Sequence, residues 1–476
     1  MTDYEAVIGL EVHAQLLTGS KIFSPAPARA DTDAKPNTNV SPVCLGMPGA
    51  LPVLNAKAVE LAVTAAVATN CSVERVSRFE RKNYFYPDLP KGYQISQYQE
   101  PLARGGWIDI GADGEEKKIR ITRIHMEEDA GKLIHSGAAS LVDLNRAGVA
   151  LIEIVSEPDM REPDEAARYV RLLRQILRYA GVCDGNMEKG NLRCDANISL
   201  RPAGCQRLGV KVEIKNLNSF KFIKKALEYE TARQAAALRG GEEVIQETRL
   251  FDPDSGKTFA MRSKEEADDY RYFPDPDLPP LVVETETVER RKKDLPEMPA
   301  EKMRRFQTEY GIKAEDAERL TAERGFADYF EAAARKSGAP KETANWILTN
   351  VAGREDGGGD FAVSAENLGE MVAMIKRGEI SNVVAREKVF PQMAETGKTA
   401  AEIVKEAGLS QVSDAGEIGK IAREFVEKHP KEAERFRGGE EKLMGFFVGG
   451  VMKETGGKVN PKVAGEELKK ILGGEK

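Results

Sequence analysis

The stretch Val7 to Leu16 alternates strictly, with Ile8, Leu10, Val12, Ala14 and Leu16 on one side and Gly9, Glu11, His13 and Gln15 on the other. Side chains alternate across a strand, so Glu11 and His13 share a face two residues apart. A carboxylate and an imidazole so placed can share one divalent cation. A solvated strand face would show the same pair, so the pattern alone decides nothing. Four further stretches add to it. Leu192 to Arg201 sets Leu192, Cys194, Ala196, Ile198 and Leu200 toward a core and Arg193, Asp195, Asn197, Ser199 and Arg201 away from it. Gly209 to Asn216 sets Val210, Val212 and Ile214 inside, with Lys211, Glu213 and Lys215 outside. Arg123 to Lys132 is dense in His125, Glu127, Glu128 and Asp129, and parity puts His125 and Glu127 on one face and Glu128 on the other.

Glu153 stands inside the apolar run Leu151-Ile152-Glu153-Ile154-Val155. Burying an unpaired carboxylate is costly, so it needs a metal or a basic partner; an internal salt bridge with Arg146 answers the need as well as a cation does. Carboxylates with a few Lys and Arg on shared strand faces suit Mg²⁺ and nucleotide phosphates: the metal takes oxygen ligands and the cations neutralise phosphate oxygens. No known phosphate cradle is present. Gly256-Lys257-Thr258 and Gly397-Lys398-Thr399 end like a Walker A motif, but Phe251 and Gln392 occupy the position of its first glycine.

The elements that must position these groups change character along the chain. Up to about residue 293, short alternating runs recur between Gly, Pro and Asn punctuation. Two helical patterns interrupt them, Pro163 to Ala180 with Gly181 as its stop, and Ser219 to Arg239 with Ser219 as N-cap. The fold class expected is α+β: a large mixed domain over 1–293 with a central, mainly antiparallel sheet, an all-α helical domain over 294–405, and a small helical tail over 406–476. The Pro-rich Phe273 to Pro280 closes the first domain, and Asp356 to Asp360 and Gly408 to Gly416 break the helical half.

The chain has 476 residues, too many for a single core. Lys plus Arg number 70 and Asp plus Glu 77, and 70 − 77 gives a net charge of −7, which argues against an indiscriminate nucleic-acid binder or a DNA-binding protein. No apolar run is long enough for a bilayer, the start lacks a signal-peptide pattern, and five scattered cysteines fit a reducing compartment. A cytoplasmic location away from membranes is expected. The four histidines (His13, His125, His135 and His429) offer no Cys–His nucleophile, so the chain has no evident means of releasing ammonia from an amide.

Several long motifs occur in order: Val7-Ile8-Gly9-Leu10-Glu11-Val12-His13, Arg81 to Asp88, His125 to Lys132, Ser140 to Arg146, Leu192 to Arg201, Lys215 to Phe220, Asp268 to Pro274 and Leu443 to Gly449. Together they resemble the B subunit of the tRNA-dependent amidotransferase. The resemblance implies a heterotrimer, completed by an amidase (the A subunit) and a small C subunit. It implies that the B subunit itself binds Glu-tRNA(Gln) or Asp-tRNA(Asn), phosphorylates the side-chain carboxylate with ATP and Mg²⁺, and admits ammonia channelled from the amidase. In that family a cradle carries the kinase site, and the helical and tail domains grip the tRNA.

Matched position by position, the resemblance puts catalysis and metal on Glu11, His13, Glu128 and Glu153, with Asp195 and Glu213 close by and His125 and Glu127 as second choices. Glu128 rests on the resemblance alone. Lys132, Arg193 and Lys215 are the candidates for phosphate contact, with ordinary ion pairs as the alternative. Lys82, Tyr84, Tyr86 and Asp88 are the candidates for the ammonia exit, with a capped aromatic core as the alternative. Some members hold zinc on Cys-x-Cys and Cys-Pro-x-Cys. Here those positions read Ser24-Pro25-Ala26 and Ser41-Pro42-Val43-Cys44, which leaves one thiolate of four, so no structural zinc is expected and Cys44 is read as a small buried apolar residue. A non-catalytic tRNA scaffold and a phosphotransferase for small acids are the competing readings; the carboxylate–His set speaks against the first and the helical half against the second.

Overall fold

The computed structural model describes residues 3–28, 34–111, 115–137, 139–263, 267–351, 361–409, 415–455, 459 and 461–473. The breaks expected at Asp356 to Asp360 and across 410–414 lie outside these residues. The chain divides into two compact units, 1–298 and 299–476.

The first unit is built on a nine-stranded sheet. Tyr4–Gln15 lies near its centre, paired antiparallel with Leu192–Pro202 on one side and Ala150–Ser156 on the other. Lys118–Glu128 and Ala103–Asp109 follow on the second side; Val212–Lys215, Glu247–Asp252 and Lys257–Ser263 extend the first. The ladder between Val212–Lys215 and Glu247–Asp252 is parallel; the other named ladders of this sheet are antiparallel. The mixed α+β class with a large sheet and a helical C-terminal region is therefore what the chain adopts.

Alternation decides which face is dry. Ile8, Leu10, Val12 and Ala14 are buried with Cys194, Ala196, Ile198, Ile152 and Ile154 in one core. The helices Ala56–Ala68, Pro163–Tyr179 and Phe220–Arg239 contribute Ala62, Leu173, Leu177, Ile223 and Leu227 to it. The expected helix ends hold. Ser219 accepts from the Phe222 amide as N-cap, and Gly181 adopts a left-handed φ of +67° after the preceding helix. Val210, expected inside, is exposed because the strand begins only at Val212.

A three-stranded sheet of Phe273–Pro274, Glu80–Asn83 and Tyr93–Ser96 meets the polar side of the large sheet. Ile95 donates its amide to Glu128, and the Ser96 hydroxyl reaches Glu127 at 3.4 Å. The Pro-rich segment is held to this sheet by Arg81, whose guanidinium bridges Asp275 and Asp277 at 2.8 Å each. Arg81 also lies 4.1 Å from the centre of the Tyr93 ring, a geometry that favours cation–π attraction.

The second unit is helical and holds two sets of buried side chains. Phe306, Phe330, Trp346, Met371 and Phe390 belong to one; Ile418, Phe447, Val451, Leu468 and Leu472 to the other. In the first set, Arg324–Ser337 and Ala365–Lys376 approach closely at Gly369, where an added Cβ would lie 2.6 Å from the Ala333 carbonyl oxygen. A backbone atom cannot yield as a flexible side chain does. Gly369→Ala should therefore destabilise the helical unit by about 1–3 kcal/mol in denaturant unfolding. An unchanged midpoint would contradict the close approach.

Candidate active site

The site is assembled by register. His13 stands opposite Arg193 on one neighbouring strand and Glu153 on the other, and Glu153 stands opposite His125. Four adjacent strands thus carry Arg193, His13, Glu153 and His125 in one row on the polar face. One rung away, Glu11 stands opposite Asp195. Antiparallel partners sit close enough for their side chains to interact directly.

His13 Nε2 lies 3.4 Å from both Glu127 Oε1 and Glu153 Oε2. His125 Nε2 lies 3.2 Å from Glu153 Oε2 and 3.8 Å from Glu127 Oε2. One donor atom each from His13, Glu127 and Glu153 falls within 4.8 Å of the others, a spacing that can hold a metal ion. Burial disfavours the charged form of every member. For His13, Glu153 and Glu127 outweigh that cost and raise the imidazole to about 9. His125 is likewise buried, yet raised by Glu153 and Glu127. Burial pushes Glu153 up, but His125 and His13 hold it well below the usual carboxylate range, and the same two imidazoles lower Glu127. Glu11 goes the other way: burial, Glu153 and Glu213 raise it, although Asn197 donates to it at 2.9 Å.

A cavity of about 230 Å³ opens on this row, lined by His13, Lys82, Gln94, Glu127, Asp129, Arg193 and Asp195 among others. Asp129 accepts from Gln15 and Arg193 at 3.0 Å each. Lys215 is shared between Asp195 at 2.6 Å and Glu213 at 3.0 Å; burial lowers its pKa, but these two carboxylates overcome that and raise it. Arg193 and Lys215 are thus cations already held by carboxylates at the site's edge. Lys82 points its ammonium over the Tyr270 ring at 4.8 Å, with Tyr84 at 6.0 Å. Tyr84 is raised by burial and then by Glu127 and Asp88.

Other sequence expectations fare differently. Glu128 does not join the His13 group. It pairs with Lys91 and accepts from the Ile95 amide at 2.9 Å. Glu127 takes the place expected for it. Arg146 is not the partner of Glu153; it approaches Asp129 at 3.6 Å and donates to the carbonyls of Ala130 and Gly131. Lys132 is exposed at the start of the hairpin Lys132–Ser136 and Ala139–Asp143, outside the cavity lining. Tyr86 is half exposed, and Asp88, raised by burial, contributes its carbonyl to the Gly131 amide. Cys44 is buried but not apolar in its contacts: Lys21, Ser24 and Ser41 surround its sulfur. Lys91 and Gln94 were not anticipated; they lie on a hairpin with no alternation to flag them.

The donor set fits a divalent cation. Two carboxylates and an imidazole converge, and the buried His125 Nδ1 has no hydrogen-bond partner among the described residues. Among those residues no helix is long and apolar enough to cross a membrane. Residues 6–289 match the GatB/GatE catalytic domain and residues 328–472 the GatB domain. The chain is 56% identical to the B subunit of the aspartyl/glutamyl-tRNA(Asn/Gln) amidotransferase of Thermodesulfovibrio yellowstonii, over 98% of this chain and 99% of that protein. It is 54% identical to the protein of the same name from Persephonella marina, over 99% and 100%. For that of Syntrophotalea carbinolica the identity is 53%, over 99% of each.

The elevated His13 has a consequence for stability. Without metal, the folded imidazole keeps its proton up to about pH 9, whereas the unfolded one loses it near 6.5. The stabilisation is complete below about 6.5 and is lost as pH rises to about 9, by an amount on the order of 1–3 kcal/mol. In chelator-treated protein the urea midpoint should fall across this window, and His13→Asn should shrink the fall. An equal fall in the variant would contradict the His13 assignment.

Proposed function

Because the chain belongs to the GatB family, whose matched relatives are B subunits of the aspartyl/glutamyl-tRNA(Asn/Gln) amidotransferase, we propose that it serves as the kinase and amidation subunit of such an enzyme. Its substrates would be Glu-tRNA(Gln), Asp-tRNA(Asn) or both, with ATP. Its partners would be an amidase and a further small subunit, which supply ammonia that this chain has no evident nucleophile to release. The observation that carries the reading is the convergence of His13, Glu127 and Glu153 beside Arg193 on one sheet face.

A carboxylate is a poor acyl donor because oxide is a poor leaving group, and phosphorylation replaces it with a good one. Glu127, Glu153 and His13 would hold Mg²⁺, which when bound offsets charge on phosphoryl oxygens. Arg193 and Lys215, oriented by Asp129, Asp195 and Glu213, would face the nucleotide phosphates; holding them in place beforehand lowers the reorganisation needed during transfer. Ammonia then attacks the acyl carbon, the carbon–oxygen bond to phosphate breaks, and phosphate leaves with the electron pair. The nitrogen must shed a proton. The departing phosphate would take it. Lys82 and Tyr84 would line the approach of ammonia. The tail, whose Lys and Arg are interspersed with acids, would contact tRNA by shape and phosphates.

Glu127→Gln in the reconstituted trimer should cut ATP-dependent phosphorylation of mischarged tRNA by about 10²-fold or more while tRNA affinity is retained. Full activity in that variant would remove the kinase assignment and leave a tRNA-binding scaffold.

A further inference from the structure

Beyond the end of the first strand, the fold buries an amine that the active site does not use, and burial lowers its pKa. Lys21 is only 1% exposed. Its Nζ donates to Cys44 Sγ at 3.4 Å and to the Leu144 carbonyl at 3.3 Å. Among the described residues it forms no ion pair with a carboxylate; Glu128 and Asp143 act on it only from farther away. A buried ammonium without a counter-charge is expensive, and the Cys44 thiolate is the group placed to supply one. Cys44 is itself 5% exposed. The hydroxyls of Ser41 and Ser24 lie 3.3 and 3.6 Å from its sulfur. At the other thiols burial prevails: it raises Cys183 to about 12 and also raises Cys194 and the half-buried Cys71, although the Thr69 hydroxyl lies 3.4 Å from the Cys71 sulfur. Burial pushes Cys44 up as well, yet Ser41, Lys21 and Ser24 outweigh it and hold the thiol below its usual value.

We propose that Lys21 and Cys44 form a peroxide-responsive covalent switch that closes as a sulfenamide between Nζ and Sγ. In the first step the thiolate attacks one peroxide oxygen. The O–O bond breaks, and the departing hydroxide takes a proton from the Lys21 ammonium and leaves as water. Sulfur is oxidised to sulfenic acid, peroxide is reduced, and Lys21 becomes a neutral amine. In the second step that amine attacks the sulfenic sulfur. The N–S bond forms, the S–O bond breaks, and hydroxide leaves as a second water with the proton shed by nitrogen. Proton and nucleophile both come from the one side chain already in contact with the sulfur. The two residues are 23 positions apart, so the bond ties the turn around Cys44 to the segment that follows the first strand. The pair lies in the first unit near Glu128: a Cβ at Gly148 would lie 3.4 Å from Lys21 Cδ, 3.7 Å from Cys44 Sγ and 3.9 Å from Glu128 Oε2.

The test is peptide mass mapping of the full-length chain, in its complex, after graded treatment with hydrogen peroxide. The expected product is a Lys21–Cys44 cross-linked peptide lighter than its two parents by two hydrogens and reopened by a dithiol. In Lys21→Gln the cross-link is absent, and iodoacetamide alkylation of Cys44 slows about tenfold at neutral pH as the thiolate fraction falls. Cys44 ending as sulfinic acid with a free Lys21, a cross-link of any other composition, or an unreacted Cys44 while the half-buried Cys71 and Cys205 oxidise would each overturn the switch. The wild-type result decides the matter even where Lys21→Gln does not fold.

Discussion

Two carboxylates and two imidazoles share a nearly dry pocket, and the rest of the first unit is arranged around that charge cluster. Glu127 and Glu153 are buried where desolvation works against their ionised forms, and His13 and His125 are the groups that keep them ionised. Such a cluster is stable only while positive charge is present, as protons on the imidazoles or as a metal ion in their place. The proton and the metal therefore compete for the same site. That competition ties folding, pH and cofactor binding together through His13.

The cluster depends in turn on sheet order. Its members come from positions 13, 125, 127 and 153, and only the neighbour relations among the Tyr4–Gln15, Ala150–Ser156 and Lys118–Glu128 strands bring them into line. The dry face of the same strands packs on three helices, so a one-residue slip in any ladder would exchange core residues for charges. Stability of the core and placement of the site are thus one constraint. Arg193 and Asp195 belong to it as well, since the strand from Leu192 keeps its apolar residues inside and so fixes the outward direction of its charged ones.

This explains what the sequence made legible. Face assignment within a strand needs only alternation, so Glu11, His13, Arg193 and Asp195 were readable, as was the separation of Glu127 from Glu128. Glu128, which rested on the resemblance alone, pairs with Lys91 outside the His13 group. Partner identity was not readable, because register between strands, whether 28 residues apart as for His125 and Glu153 or 140 apart as for His13 and Glu153, leaves no local trace. Glu153 was therefore given Arg146 as one possible partner, when its neighbours are His13 and His125. Lys91 and Gln94 sit on a short hairpin without periodicity. Cys44 looked apolar because three positions around it had lost their thiols; the compensating Lys21 lies 23 residues away.

The most direct measurement is a crystal structure of the chain in its complex grown with Mn²⁺ as a stand-in for Mg²⁺, with anomalous diffraction recorded at the manganese edge. The account predicts an anomalous peak within bonding reach of Glu127, Glu153 and His13. A peak on the Glu128 side of the strand, or none at this group while the metal binds elsewhere in the first unit, would contradict it.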